Sequence, residues 1–309
     1  MNDYTIIVPV YCNETSLNIL YKEVEEKIFN KNPNLKGKIV FCDDRSTDNS
    51  YIILKNLQNK NPEIGLIRFT RNFGQTAGIF CCLEKFESKA YIIMSADLQD
   101  PVELINDFLY QHFNEGYHLV AGIRNTRNDG FISDLFSKVF YLIMKKLVFK
   151  DYPRTHFDYL LISKKMRDIM LALDDKNPFW QGQMIWSGLS RKFIPYERGK
   201  RIYGKSKYTF SKRVKYFIDG IFGFSFTPIR LITVFGIIIS MISFIYAVYI
   251  LIEKLFFGNH VEGWSTIVVL VLLFSGIQCL FLGIIGEYLW RTFSQSQKKP
   301  LYIIDETNI

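Results

Sequence analysis

Between Pro228 and Ile252, and again between Trp264 and Gly286, the chain is almost free of charged residues. A helix needs about 20 apolar residues to cross the hydrocarbon of a bilayer, so each run can span. The first carries Arg230 only at its start, and the second is interrupted only by Ser275, Gln278 and Cys279 between Ile267 and Ile285. Their flanks are uneven in charge. Lys205, Lys207, Lys212, Arg213, Lys215 and Arg230 precede the first run, and Arg291, Lys298 and Lys299 follow the second, whereas the connector holds a single cation, Lys254. The positive-inside bias therefore predicts a multi-pass protein of the cell (inner or plasma) membrane with both termini in the cytoplasm. Two stretches, 131–149 and 211–226, mix aromatic residues with Lys and Arg as helices at a bilayer interface do. A core helix is the alternative for the first of them.

The rest of the chain is of another kind. With 22% charged residues, and 38 Lys and Arg against 30 Asp and Glu for a net charge of +8, the sequence is too polar to be membrane-embedded throughout. Residues 1 to about 227 read as a mixed globular domain. The excess cations gather beside the spans and line no separate groove, which argues against nucleic-acid binding. Cys12, Cys42, Cys81, Cys82 and Cys279 are odd in number and lack C-x-x-C spacing, so they suggest neither a disulfide framework nor a zinc site and fit a reducing compartment. The first apolar run, Ile6 to Val10, is too short for the core of a cleaved signal.

Within the globular part, β-branched runs at 4–10, 38–42, 65–69, 90–94 and 118–121 alternate with helical patterns at 16–30, 50–60, 77–86 and 101–114. That alternation predicts an α/β domain with a mostly parallel sheet covered on both faces. Ligands of such sheets bind beyond the carboxyl ends of the strands. Acidic clusters follow the second and fourth runs there: Asp43-Asp44-Arg45-Ser46-Thr47-Asp48 and Ser95-Ala96-Asp97-Leu98-Gln99-Asp100. Either can cap the following helix. Two on one sheet edge concentrate like charge, which favours a cation or a donor-rich ligand between them. Asp97 and the Gln99 carbonyl are hard oxygen donors suited to Mg²⁺ or Mn²⁺ shared with substrate phosphates.

These residues resemble a known family. Val8-Pro9-Val10-Tyr11-Cys12-Asn13-Glu14, the two acidic clusters, Phe69-Thr70-Arg71-Asn72-Phe73-Gly74 and Gly204-Lys205-Ser206-Lys207-Tyr208 look like family 2 glycosyltransferases. The nearest branch is that of dolichol-phosphate mannose synthase and bacterial undecaprenyl-phosphate glucosyltransferases, and the likeness runs nearly end to end. It implies a GT-A fold with a Rossmann-like sheet, and inverting transfer of a hexose from a nucleotide-sugar to a polyprenyl phosphate for cell-envelope glycosylation. UDP-glucose and undecaprenyl phosphate are the first-choice donor and acceptor, with Mg²⁺ or Mn²⁺ as cofactor. By resemblance, Pro9, Tyr11, Glu14, Asp44, Ser95, Arg198 and Arg201 bind the nucleotide-sugar, and Asp97 and Gln99 hold the metal. Arg124, Arg127 and Ser137 receive the lipid phosphate, and Asp158 and Asp97 are catalytic. Ser95 stands where the family usually opens its D-x-D with Asp, His156 where it has Gly and Leu160 where it has Arg.

The implied organisation is a catalytic domain at 1–210, an interfacial helix at 211–227, a transmembrane hairpin at 228–290 and a tail at 291–309. Glycines 236, 276, 283 and 286 allow close helix packing, within one chain or in a homo-oligomer. The acceptor phosphate is largely a dianion at neutral pH, because its second pKa lies near 6. Asp158 is therefore expected to orient groups more than to abstract a proton. Two other classes stay open at this stage. Gly199-Lys200-Arg201-Ile202-Tyr203-Gly204-Lys205-Ser206 matches the phosphate-loop pattern of an NTPase, and Ser95 allows a catalytically silent scaffold.

Overall fold

The computed structural model describes residues 1–124, 142, 144–149, 152–153, 157–199, 220–257 and 263–308. The chain divides into two compact units, Met1–Phe217 with Lys299–Ile309, and Ile218–Lys298.

In the first unit the alternating pattern becomes β1 (Asn2–Val10), α1 (Leu17–Val24, prolonged by a π turn, Glu25–Phe29), β2 (Gly37–Asp43), α2 (Ser50–Lys60), β3 (Gly65–Phe69), α3 (Gln75–Lys85), β4 (Ser88–Ile93), α4 (Leu104–Phe113) and β5 (Leu119–Arg124). There follow β6 (Leu160–Ser163), α5 (Lys164–Ala172), α6 (Trp180–Trp186), β7 (Arg191–Tyr196) and, after a long excursion, β8 (Ile304–Asn308). The strands form one sheet in the order β7-β5-β6-β4-β1-β2-β3-β8. Neighbours are parallel except β4/β6, β5/β6 and β3/β8. This is the expected α/β class with a mostly parallel sheet.

β1 lies at its centre. Ile6, Ile7 and Val8 are buried on both faces, which explains why the strand reads as a continuous apolar run without alternation. Cys42, Cys81 and Cys82 are buried as small apolar groups. From β1 the chain moves outward through β2 and β3, then returns to place β4 on the other flank of β1. The strand order thus reverses at β1, and the crevice between the β1 and β4 tips is where a ligand of such a sheet binds.

In the second unit α7 (Thr227–Phe257) and α8 (Trp264–Ser296) run for 31 and 33 residues. They contain two candidate membrane spans, Thr227–Tyr246 and Leu273–Ser296. Large side chains such as Phe235, Met241, Phe244, Leu280 and Leu282 are exposed along them. So much contiguous apolar surface suits lipid as the surrounding medium. Tyr288 Oη donates to the Ser225 carbonyl at 2.8 Å, tying α8 to the residues that lead into α7. Most of the stretches 131–149 and 211–226, expected at the interface, lie outside the described residues.

Candidate active site

The strand tips around the β1–β4 crevice carry the candidate residues in two groups. The first spans β1, β2 and β3. Pro9 is half-buried in β1 opposite Cys42, and Tyr11 is exposed just beyond the strand end. Asp44 is almost fully buried; its N–H donates to Val10 O at 2.9 Å, fixing the β2 tip against the β1 tip. The Asp44 carboxylate then reaches across to the loop after β3. Oδ1 accepts from Phe73 N at 2.6 Å and Oδ2 from Gly74 N at 2.8 Å. Burial pushes the Asp44 carboxyl up, opposed in part by these two donors. Gly74 makes the turn with φ at +96°, a backbone state that a side chain would strain.

Glu14 faces the start of α2, where its Oε2 accepts from Asn49 N at 3.0 Å and from Asn49 Nδ2 at 3.1 Å. Neighbouring contacts stiffen the same corner. Cys12 N donates to Ser46 Oγ at 2.9 Å, and the Ser16 hydroxyl reaches over the crevice to Ala96 O at 2.6 Å.

The second group gathers at the tips of β4, β5 and β7, with the residues leading into β6. Ser95 is half-buried at the end of β4. Arg198 places Nη2 3.7 Å from Asp97 Oδ2 and Nε 3.3 Å from Asp100 Oδ1. Tyr196 Oη donates to Asp100 at 2.6 Å. Asp100 is buried, which pushes its carboxyl up, and burial together with that carboxylate pushes the Tyr196 phenol up, so the phenol keeps its proton. Gly122 in β5 leaves room for the Tyr196 ring; a Cβ there would stand 2.8 Å from Cε1. Arg124 Nη2 lies 4.0 Å from Asp158 Oδ1. The loop after β4 is docked on the segment after β7: Gly199 N donates to Gln99 O at 2.9 Å, and Gln99 Nε2 donates to Gly199 O at 3.4 Å.

Strain marks these same loops. Cys12, Arg45 and Leu98 adopt left-handed backbone with φ of 54°, 59° and 56°, one in each of the loops after β1, β2 and β4. Such states persist only where surrounding contacts over-determine them, and they concentrate at functional sites.

Among the described residues no three Asp, Glu, His or Cys side chains gather as a metal cage. A divalent ion shared with substrate phosphates needs only one or two protein carboxylates. Asp97, at the crevice with the Gln99 carbonyl two residues on, fits that chemistry; the missing Asp at Ser95 leaves it as the one carboxylate of the motif. Arg127, Ser137 and Arg201, with nearly all of the phosphate-loop-like stretch, lie outside the described residues.

Asp100 and Tyr196 do not stand out in the sequence as site residues, and neither do the backbone donors of Phe73 and Gly74. Asp100 is visible only as the second carboxylate of D-x-x-D, and nothing local in the sequence links it to a tyrosine 96 residues away. A surface hollow of about 530 Å³ lined by Val148, Phe149, Ile185 and Arg191, among others, includes none of the candidate residues.

Residues 5–168 match the family described as Glycosyl transferase family 2. The chain is 34% identical over 305 residues to a protein of Bacillus subtilis (strain 168) named uncharacterized glycosyltransferase YkcC, covering 98% of this chain and 94% of that one. It is 31% identical over 301 residues to the prophage bactoprenol glucosyl transferase homolog of Escherichia coli (strain K12), covering 97% of each. Among solved structures, the mannosyltransferase PcManGT of Pyrobaculum calidifontis, in complex with GDP-Man and Mn²⁺, aligns with a TM-score of 0.49 at 13% identity over 74% of this chain and 64% of that one.

Proposed function

The chain belongs to glycosyl transferase family 2, and on that premise we propose that it transfers glucose from UDP-glucose to undecaprenyl phosphate, with inversion at the anomeric carbon, on the cytoplasmic face of a membrane crossed by α7 and α8. The observation that carries this reading is the full-length match to a protein named for bactoprenol glucosyl transfer, 97% of each chain. The likeness thus includes both the acidic strand tips and the two apolar helices.

In this reading Pro9, Tyr11, Glu14 and Asp44 hold the base and ribose at the β1–β2 side of the crevice, and Ser95 lies at the β4 tip beside the donor. Asp97, with Gln99, would hold a Mg²⁺ or Mn²⁺ ion on the donor diphosphate. When bound, such an ion neutralises charge developing on the leaving UDP. Arg198, which lies beside Asp97 and Asp100, binds the donor diphosphate together with Arg201. Arg124, Arg127 and Ser137 bind the lipid phosphate, whose guanidinium contacts are charge-assisted and suited to two oxygens at once. A phosphate oxygen attacks the anomeric carbon from the face opposite the leaving group, the bond to UDP breaks, and the configuration inverts. No proton need be removed from a phosphate dianion. Asp158 acts by orienting Arg124.

The path of the chain supports the topology. β8 belongs to the same sheet as β1 to β7, which supports an even number of crossings between β7 and β8. The cation bias at the flanks of α7 and α8 supports the cytoplasmic side for the catalytic domain in this reading.

The test is a panel of radiolabelled UDP-glucose, UDP-galactose, UDP-N-acetylglucosamine and GDP-mannose, each incubated with the protein and undecaprenyl phosphate before lipid extraction. Label from UDP-glucose should dominate the lipid fraction. Preference for another donor would overturn the sugar assignment, and no labelled lipid from any donor would overturn the reaction.

A further inference from the structure

The C-terminal strand enters the sheet at its β3 edge, beside the loop that binds Asp44. β8 is antiparallel to β3, with Ile304 opposite Phe69 and Asn308 opposite Leu66. The residues just before it, Tyr302 and Ile303, therefore lie beyond the carboxyl end of β3, where the Asp44-bound loop begins. Thr70 N donates to Ile303 O at 3.1 Å. The Tyr302 ring stacks on Phe69 with centroids 5.4 Å apart and planes within 13°, and Phe69 packs edge-on against Phe73 at 5.6 Å. Phe73 and Gly74 are the donors that hold the Asp44 carboxylate. Tyr302 Oη is anchored in turn on the Glu84 carboxylate of α3.

Further along, the strand grips the other side of the same corner. Asp305 pairs with Arg45, the left-handed residue directly after Asp44. Glu306 accepts from Tyr51 Oη of α2 and pairs with Lys55 at 3.3 Å. The Tyr51 ring lies under the Arg68 guanidinium at 3.9 Å, and Arg68 Nε is 3.4 Å from Asp43. These contacts bracket Asp43-Asp44-Arg45 from the β3 side, although Ile304 to Asn308 carry little apolar surface and add little to the core.

We propose that the C-terminal segment is a positioning element for donor binding: Tyr302, through Phe69 and Phe73, and Asp305, through Arg45, hold the Asp44 loop in its nucleotide-binding form. This rests on the reading of Asp44 as a donor-binding residue. Tyr302 does not touch the donor; it sets the loop that does.

The experiment uses the full-length protein in nanodiscs and measures UDP binding by calorimetry in the presence of Mg²⁺, KM and kcat for UDP-glucose, and Tm. Loss of one aromatic stacking partner should weaken UDP binding roughly three- to tenfold in Tyr302→Ala, raise KM by the same factor and leave kcat within about twofold. Tyr302→Phe, which keeps the ring, should restore both constants. Unchanged UDP binding in Tyr302→Ala, with or without a fall in Tm, overturns the proposal, as does a loss confined to kcat. Should Tyr302→Ala fail to fold, Asp305→Asn at the exposed end carries the same prediction at roughly twofold, and unchanged UDP affinity there overturns it. Asp44→Asn separates the two claims. If that variant binds UDP as well as the wild type, the donor-site reading fails; if it loses UDP while Tyr302→Ala does not, the positioning role alone fails.

Discussion

Arg124 holds its Nη2 atom 4.0 Å from Oδ1 of Asp158, with the two side chains 17% and 32% exposed at the rim of the crevice. A carboxylate that faces a guanidinium is placed to orient it, and in the function proposed above that guanidinium meets the acceptor phosphate. This gives Asp158 a task that needs no proton transfer.

The Asp158→Asn variant should therefore lose about a hundredfold in kcat through misplacement of Arg124. The low-pH limb of its kcat/KM profile for the lipid should stay where the wild type has it, near the second ionisation of the phosphate at about pH 6. Disappearance of that limb in the variant would assign the limb to Asp158 as a general base.

Asp100 makes a prediction about stability. Its carboxyl is pushed above the ordinary value of 3.8, chiefly by burial, so the folded chain holds this proton more tightly than the unfolded chain does. The unfolded chain then binds fewer protons over that window, and the carboxylate lowers stability increasingly as pH rises through its raised value. Asp100→Asn keeps an acceptor for Tyr196 and removes the buried charge. Its Tm should match or exceed that of the wild type at pH 7 to 8, and the advantage should vanish as the pH is lowered toward 4. A Tm difference that grows on acidification would contradict this assignment.

Gly74 is confined to glycine by its φ of +96°. Gly74→Ala should cost about 1–3 kcal/mol and displace one of the two amides on Asp44, raising KM for UDP-glucose while KM for undecaprenyl phosphate holds. Equal changes in both KM values would mean that the loop serves the whole crevice and not the donor half.

Much of this arrangement is legible in the sequence because the signals are local. The runs at 4–10, 38–42, 65–69 and 90–94 lie within a residue or two of β1 to β4, since buried parallel strands are written as short unbroken apolar stretches. Asp44 and Asp97 are legible because they lie two and three residues beyond the ends of such runs. β8 is not: Ile304-Asp305-Glu306-Thr307-Asn308 is an edge strand whose side chains are mostly exposed, so it carries no apolar alternation and its pairing depends on Arg45, Tyr51 and Lys55. The link between Asp100 and Tyr196 is equally silent, because it exists only once β5 and β7 pair and Gly122 lets the ring pass. The strained backbone at Cys12, Arg45 and Leu98 has no glycine to announce it.

The most direct measurement incubates the purified protein in nanodiscs with UDP-[14C]glucose and Mg²⁺, with and without undecaprenyl phosphate, and follows label into the organic phase. Labelled, acid-labile glycolipid should form only when undecaprenyl phosphate is present, and Asp97→Ala should lower its rate by at least about a hundredfold. UDP release at the full rate with no labelled lipid, or undiminished labelling in Asp97→Ala, would contradict the account.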